Sequence, residues 1–198
     1  MKAMTNLMGL ALAGAVLSGG LSSCQPEQQL STEDRDALVF MYEEEKLARD
    51  VYTTLSGLWS IQQLNMIQGS EQNHMDAIGD LMTTYDVPFE TLEIGVFENA
   101  DLQSLYDDLV AEGSVSELAA VTVGATIEDL DIVDLQEYTM NTSSEELAAV
   151  YEQLTCGSRN HLRAFVMGIE SRGGTYTPQF LTQEEYDALI AGEHETCK

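Results

Sequence analysis

The sequence predicts an all-α fold. Four long helices pair into two tight hairpins, one long crossover joins the pairs, and short extra helices sit in the crossover and near the C-terminus. Three observations predict it. Apolar residues recur at the three-or-four spacing of a buried helix face. Hydroxyl residues followed three positions later by an acid or amide mark helix starts, and Gly or Pro marks the stops. No run shows the strict alternation of a strand.

Residues 1–24 precede the fold. Lys2 supplies a thin positive region, and Leu7 to Leu17 is an apolar run too short for a membrane span. The segment ends in Leu21-Ser22-Ser23-Cys24, which resembles a bacterial lipobox. The resemblance implies cleavage before Cys24, lipid on its thiol, and a lipid-anchored place in the bacterial cell envelope. Gln25 after the Cys, by analogy with Gram-negative lipoproteins, favours the outer membrane, on its periplasmic face or at the cell surface. Residues 25–31 read as a polar tether, 32–192 as the helical domain and 193–198 as a tail.

The elements follow in order. Ser31 or Thr32 opens the first long helix, over about 33–56, and Gly57 stops it. Ser60 with Gln63 opens the second, over about 60–85, before Pro88. The crossover spans about 86–113, with a short helix at about 100–112. Ser114 with Glu117 opens the third, over about 114–139. Ser143 with Glu146 opens the fourth, over about 143–172, which Gly173 and Gly174 end. Thr182 with Glu185 opens a last short helix.

The net charge is -26, from 34 acidic and 8 basic residues. That balance argues against a nucleic-acid partner, which needs a basic patch. It reads first as a solvated, self-repelling surface. Beyond Cys24 the cysteines are Cys156 and Cys197, and an exported chain with an even count permits a disulfide. Cys156 lies roughly 140° around its helix from His161, so the pair faces away from the residues discussed next.

Four helix faces carry residues that an apolar interior would not tolerate. Glu45 stands among Leu38, Met41, Ala48 and Tyr52, and Glu71 and His74 among Leu64, Ile67, Ile78, Leu81 and Tyr85. The third helix has the face Leu118, Val121, Gly124, Glu128, Asp131 and Leu135; the fourth has Leu147, Val150, Leu154, Ser158, His161 and Phe165. Burying one unpaired carboxylate costs several kcal/mol in order of magnitude. A cation satisfies all of these groups together. Residues three apart on a helix reach into one site, carboxylates bridge cations, and imidazole suits iron or another transition metal. Glu43 and Glu44 are turned off the Glu45 face by roughly 200° and 100°, so they are expected in solvent. Glu152 is on the wrong side of its helix to serve with His161.

Two hairpins joined by a long crossover describe the ferritin-like bundle, whose di-metal members carry Glu on two helices and Glu-x-x-His on the other two. Here Glu71-Gln-Asn-His74 fits outright, and Ser158-Arg-Asn-His161 has Ser where Glu is expected. Asp131 is the expected substitute, reaching in from the neighbouring helix. Glu45-Lys-Leu-Ala-Arg-Asp-Val-Tyr52 resembles the first-helix signature of rubrerythrin-type proteins. Together with Tyr42-Glu-Glu-Glu, Ser70-Glu-Gln-Asn-His74, Gly157-Ser-Arg-Asn-His161-Leu-Arg-Ala-Phe165 and Gly173-Gly-Thr-Tyr-Thr-Pro178, it is similar to a bacterial ferritin-like family catalogued as domain of unknown function 2202. The similarity spans about 32–186. It implies a ferritin-like fold and a metal site, with no settled reaction.

The expected ligands are therefore Glu45, Glu71, His74, Glu128, Asp131 and His161. The expected cofactor is iron, as two ions, with manganese or zinc as alternatives; the partners are metal ions and oxygen or peroxide. Arg49 is either a support for Glu45 or an ordinary helix ion pair. Tyr52 and Ser158 are expected beside the site; for Tyr52 and Tyr85 core packing is the default, with a hydrogen bond near the site or electron transfer as the alternative. Oxidoreductase or ferroxidase-type chemistry is the leading reading. The alternatives are a non-catalytic metal-binding envelope lipoprotein and a metal-free helical interaction module. No rubredoxin-like Cys-x-x-Cys pair is present in this sequence.

Overall fold

A computed structural model describes residues 29–197. Cys24, its lipobox and most of the tether lie outside the described residues. Among the described residues there are six helices and no strand: α1 (Thr32–Leu58), α2 (Gln62–Thr84), α3 (Ala100–Gly113), α4 (Glu117–Asn141), α5 (Glu145–Glu170) and α6 (Gln183–Ile190). The four long helices are α1, α2, α4 and α5, with α1 against α2 and α4 against α5 as hairpins. Their connections are residues 59–61 and 142–144, while the crossover from α2 to α4 carries α3. α1 also packs on α4 and α2 on α5, so the four stand in a square; α3 covers α1 and α4, and α6 leans on α5. α2 and α5 run antiparallel, since Gln63 meets Gly168 and His74 meets Gly157.

The caps differ in detail from the expected ones. Ser31 accepts from Asp34 N, and Thr182 with Glu185 forms the full capping box. The α4 cap is Ser116 rather than Ser114, and the α5 cap is Ser144 rather than Ser143. Neighbouring hydroxyls compete in both cases, and each helix begins later than the first of them. α2 starts after Ile61 with no side-chain cap, so Ser60 does not cap it. α3 is capped by Asn99, which the sequence pattern did not single out.

The core is split. One apolar cluster holds Leu47, Val51, Leu55, Leu64, Val121 and Phe165; the other holds Leu38, Met41, Ile78, Leu135, Leu147 and Leu154. Between them each long helix contributes polar residues, and this layer is the site. Leu30, placed in the tether by the sequence reading, packs into the second cluster.

Two buried carboxylates fasten the connections. Asp50 accepts from Gly95 N at 2.9 Å, and its neighbour Lys46 donates to the carbonyls of Glu93 and Val96. Gly95 has φ +78°, and a Cβ there would meet the Tyr106 ring at 2.9 Å, so glycine is required. Asp129 accepts from Tyr176 Oη, Gln179 N, Phe180 N and Leu181 N, which fixes the segment after α5 to α4. Among the described residues no helix is long and apolar enough to cross a membrane.

Candidate metal centre

Glu45 on α1, Glu71 and His74 on α2, Glu128 on α4 and His161 on α5 all point into the polar layer. Glu45, Glu71 and Glu128 are each 1% exposed, and the two imidazoles reach slightly further out on the α2–α5 side. The groups form two triads, Glu45–Glu71–His74 and Glu71–Glu128–His161, each with one ligand atom per residue within 4.8 Å of the others. Glu71 belongs to both. Its Oε2 is 3.0 Å from His74 Nδ1 and its Oε1 is 2.7 Å from His161 Nδ1. His74 Nδ1 is also 3.3 Å from Glu45, and His161 Nδ1 is 3.4 Å from Glu128. The imidazole rings stack with centroids 5.4 Å apart.

The contact between Glu71 Oε1 and His161 Nδ1 is short, yet neither atom makes a hydrogen bond. The N–H direction misses the oxygen. Glu45 Oε1 is likewise buried without a partner. Buried polar atoms are nearly always hydrogen-bonded. Three of the crowded triad atoms are thus left unpartnered, and three carboxylates with two imidazoles form a donor set suited to transition metals.

In the absence of a cation, protons would balance this charge. Burial opposes ionisation of Glu71, but His161 and His74 outweigh it and hold the carboxyl far below its usual range. Burial works against both imidazolium ions as well, yet Glu71 and Glu45 hold His74 well above its usual value. Glu71 and Glu128 hold His161 up at about 10. Burial pushes Glu45 up to about 7, against the pull of His74.

Several supporting residues stand elsewhere than the sequence suggested. Asp131 joins neither triad. One of its oxygens accepts a short hydrogen bond from Ser158 Oγ, which also donates to Leu154 O at 3.0 Å. Ser158 thus leaves room at the missing-Glu position, and Asp131 comes to the hydroxyl rather than to the histidines. Arg49 does not support Glu45: it bonds Asp50 through Nε and Gln72 at 2.6 Å. Helical spacing put it one turn from Glu45, but the buried Asp50 captures it. Tyr52 Oη donates to Glu128 at 2.7 Å, so it orients a triad carboxylate. Tyr85 donates to Glu146 at the far end of the bundle, away from the site.

Of the two acids expected in solvent, Glu43 stays partly exposed and Glu44 does not. Glu43 accepts from Glu98 N and Asn99 N at the start of α3, and Glu44 is buried. Sequence periodicity also missed Gly157, although it stands in the Gly157-Ser-Arg-Asn-His161 motif. A Cβ at 157 would lie 2.5 Å from His74 Nε2. The sulfurs of Cys156 and Cys197 are joined across 41 residues, and Arg159 and Arg163 hold Glu195 beside them. The tail is therefore strapped to α5.

The sequence pattern of the uncharacterized protein domain DUF2202 matches residues 34–193. The chain is 47% identical over 175 residues to the uncharacterized protein MJ0754 of Methanocaldococcus jannaschii, covering 87% of this chain and 95% of that protein. The crystal structure of hypothetical protein MJ0754 from Methanococcus jannaschii DSM 2661 aligns with it at a TM-score of 0.83 and 47% identity, over 87% of this chain and 100% of that one.

Proposed function

The chain belongs to the family of uncharacterized protein domains DUF2202, and from its polar layer we propose that it is a ferritin-like metalloprotein holding two transition-metal ions. One observation carries the proposal. Two Glu/His triads share Glu71, and in them Glu45 Oε1, Glu71 Oε1 and His161 Nδ1 are buried without hydrogen-bond partners. Glu45 and His74 would hold one ion, Glu128 and His161 the other, and Glu71 would serve both. Iron comes first, with manganese or zinc able to use the same donors. The square of antiparallel helices with a crossover between α2 and α4 supports the ferritin-like assignment.

The chemistry such a pair supplies when bound is oxidation of iron(II) by oxygen or peroxide. The chain's own residues prepare for it. Tyr52 fixes one carboxylate of the second triad through its hydroxyl. The apolar clusters on either side exclude bulk water and strengthen every charge interaction in the layer. The imidazoles, the less buried members, put the approach for a small oxidant on the α2–α5 side. Electrons would come from a separate donor. With its lipobox, the protein would work at the envelope surface, anchored through Cys24.

Elemental analysis of protein purified without added metal tests the proposal. Two equivalents of iron, manganese or zinc per chain are expected, one for each triad. Oxygen uptake on adding iron(II) is expected with them. Less than one equivalent would replace this reading with that of a metal-free interaction module, and full occupancy without oxygen or peroxide turnover would leave a non-catalytic metal protein.

A further inference from the structure

Two sets of residues alternate along two turns of α5. Gly157, Ser158 and His161 belong to the polar layer. Cys156, Arg159, Asn160 and Arg163 hold the C-terminal tail. At 100° per residue, Cys156, Asn160 and Arg163 fall within roughly 60° of one another, while Gly157 and His161 stand roughly 100° and 140° from Cys156. One stretch of backbone therefore carries the tail on its outer side and the candidate centre on its inner side.

The outer side is closely bonded. Glu195 accepts from Arg159 Nε at 2.9 Å and from Arg163 Nη2 at 2.8 Å. Its backbone N–H donates to Asn160 Oδ1 at 2.9 Å, and its carbonyl accepts from Asn160 Nδ2 at 3.1 Å. Yet the side chains of Arg159 and Glu195 are 29% and 32% exposed, and ion pairs so open to water contribute little. The disulfide is the part of the clamp that lasts. On the inner side, a Cβ at Gly157 would lie 2.5 Å from His74 Nε2, so the ring of one ligand rests on the backbone next to Cys156. A second ligand, His161, is on the same two turns. A shift of this stretch moves both imidazoles.

The link is also open to a reagent. Cys197 is partly exposed, while Cys156 is buried. Asn160 Nδ2 donates to Cys197 Sγ at 3.6 Å, a contact that strengthens when that sulfur becomes a thiolate. Resting on the metal-centre reading above, we propose that Cys156–Cys197 is a site of thiol–disulfide exchange, with a dithiol as its reactant, and that its state sets how tightly the centre holds its ions. A thiolate of the dithiol attacks the exposed Cys197 Sγ. The S–S bond breaks, and Cys156 leaves as a thiolate that takes a proton. The second thiol then attacks the reagent sulfur of the mixed disulfide and releases Cys197, which takes the other proton. The dithiol ends as its own disulfide, and two electrons and two protons have passed to the protein. The tail is then held by exposed pairs alone. The stretch under His74 and His161 loses its fixed outer side, and the metal is held less tightly.

Cobalt(II) is the probe, competed against a chelator of known affinity and read by its visible absorption on the full chain stripped of metal. The double variant Cys156→Ser/Cys197→Ser has neither the link nor thiols that could take cobalt themselves. It should bind about tenfold more weakly than the oxidised wild type, the lower end of the effect of disturbing a ligand's support. Its helical circular dichroism should be unchanged. Excess dithiol should convert the folded wild type to two free thiols, and reoxidation should restore the starting affinity. Equal affinity with the link present and absent would overturn the switch and leave the metal centre standing. So would a link that excess dithiol does not open, or a loss of helix without it, which would make the disulfide a structural staple only. Oxidised wild-type protein that takes up no cobalt would remove the metal centre and the switch together.

Discussion

A methyl group at position 157 would sit 2.5 Å from Nε2 and 2.8 Å from Cε1 of His74. Glycine on α5 is therefore what lets a histidine on α2 present Nδ1 to Glu45 and Glu71. In the middle of a helix, Gly is less favourable than Ala by roughly 1 kcal/mol, so a replacement free of clashes would stabilise the protein. The two effects make Gly157→Ala decisive. The ring should be pushed from its position, with metal affinity falling about 10–100-fold, the usual effect of disturbing the support of a ligand. Titration with cobalt(II) or zinc checks this. A Gly157→Ala variant that is more stable and binds metal normally would show that the ring has another place to go. Ser158, the next residue, works by its small size. Where the resembled pattern has a carboxylate it supplies a hydroxyl to Asp131, so the layer keeps only Glu71 as the shared acid.

At the scale of the element, α1 explains what the sequence showed and what it hid. Periodicity assigns a helix one buried face, and on that basis Glu45 was legible among Leu38, Met41, Ala48 and Tyr52. The other four residues of the triads were legible for the same reason. Glu44, Lys46 and Asp50 were not, because α3 and the crossover cover the remaining sides of α1, and that burial depends on contacts far along the chain. The hairpins and the crossover were readable from loop lengths, while the caps of α4 and α5 were displaced by adjacent serines. Asp129 was hidden for the reason that hid Asp50, since its partners lie some fifty residues away. Asp129→Ala would strand three backbone N–H groups and the Tyr176 hydroxyl. Hydrogen bonds to a charged acceptor contribute about 1.5–3 kcal/mol each, not additively, so a loss of about 3–5 kcal/mol is expected. Chemical denaturation measures it. A change within about 0.5 kcal/mol, typical of an ordinary surface position, would mean that the segment holds without this clamp. Glu195 makes a milder case. Arg159 first, then Arg163, hold its carboxyl down to about 2. A depressed pKa contributes stability above the usual carboxylate range that is lost as pH falls from about 4.5 toward 2. Amide exchange in the tail should therefore quicken over that window while the disulfide stays closed; exchange that is flat with pH, after correction for its intrinsic rate, would count against the strap.

For the whole molecule, stability is expected to depend on one covalent link and on the occupant of the polar layer. The Cys156–Cys197 link closes 41 residues, including α6 and the segment held by Asp129. In the chain-entropy model that contributes about 4 kcal/mol, so Cys197→Ser should lower stability by that order in chemical denaturation; no change would mean that the tail adds nothing to the fold. The occupant sets the response to pH. Without metal, Glu45 is held up at about 7 and His161 at about 10, and His74 is also raised. A raised pKa gives stability that is complete below the unfolded value and declines as pH climbs through the folded one. The metal-free protein should therefore lose stability from about pH 5 to 9, first through Glu45 and then through the histidines. Glu71, held low by the same histidines, is ionised throughout that window and does not reverse the sign. Metal binding needs Glu45 ionised and both imidazoles neutral, so it expels protons and tightens as pH rises. A ligand at about a thousand times its Kd adds about 4 kcal/mol, and that increment grows with every tenfold gain in affinity. The gap in Tm between metal-loaded and chelator-treated protein should accordingly widen steadily from pH 5 to pH 9, with protons released on loading at pH 7. Paired thermal scans and a weakly buffered titration with zinc measure both. A constant gap with no proton release would mean that these carboxylates and imidazoles are not the ligands.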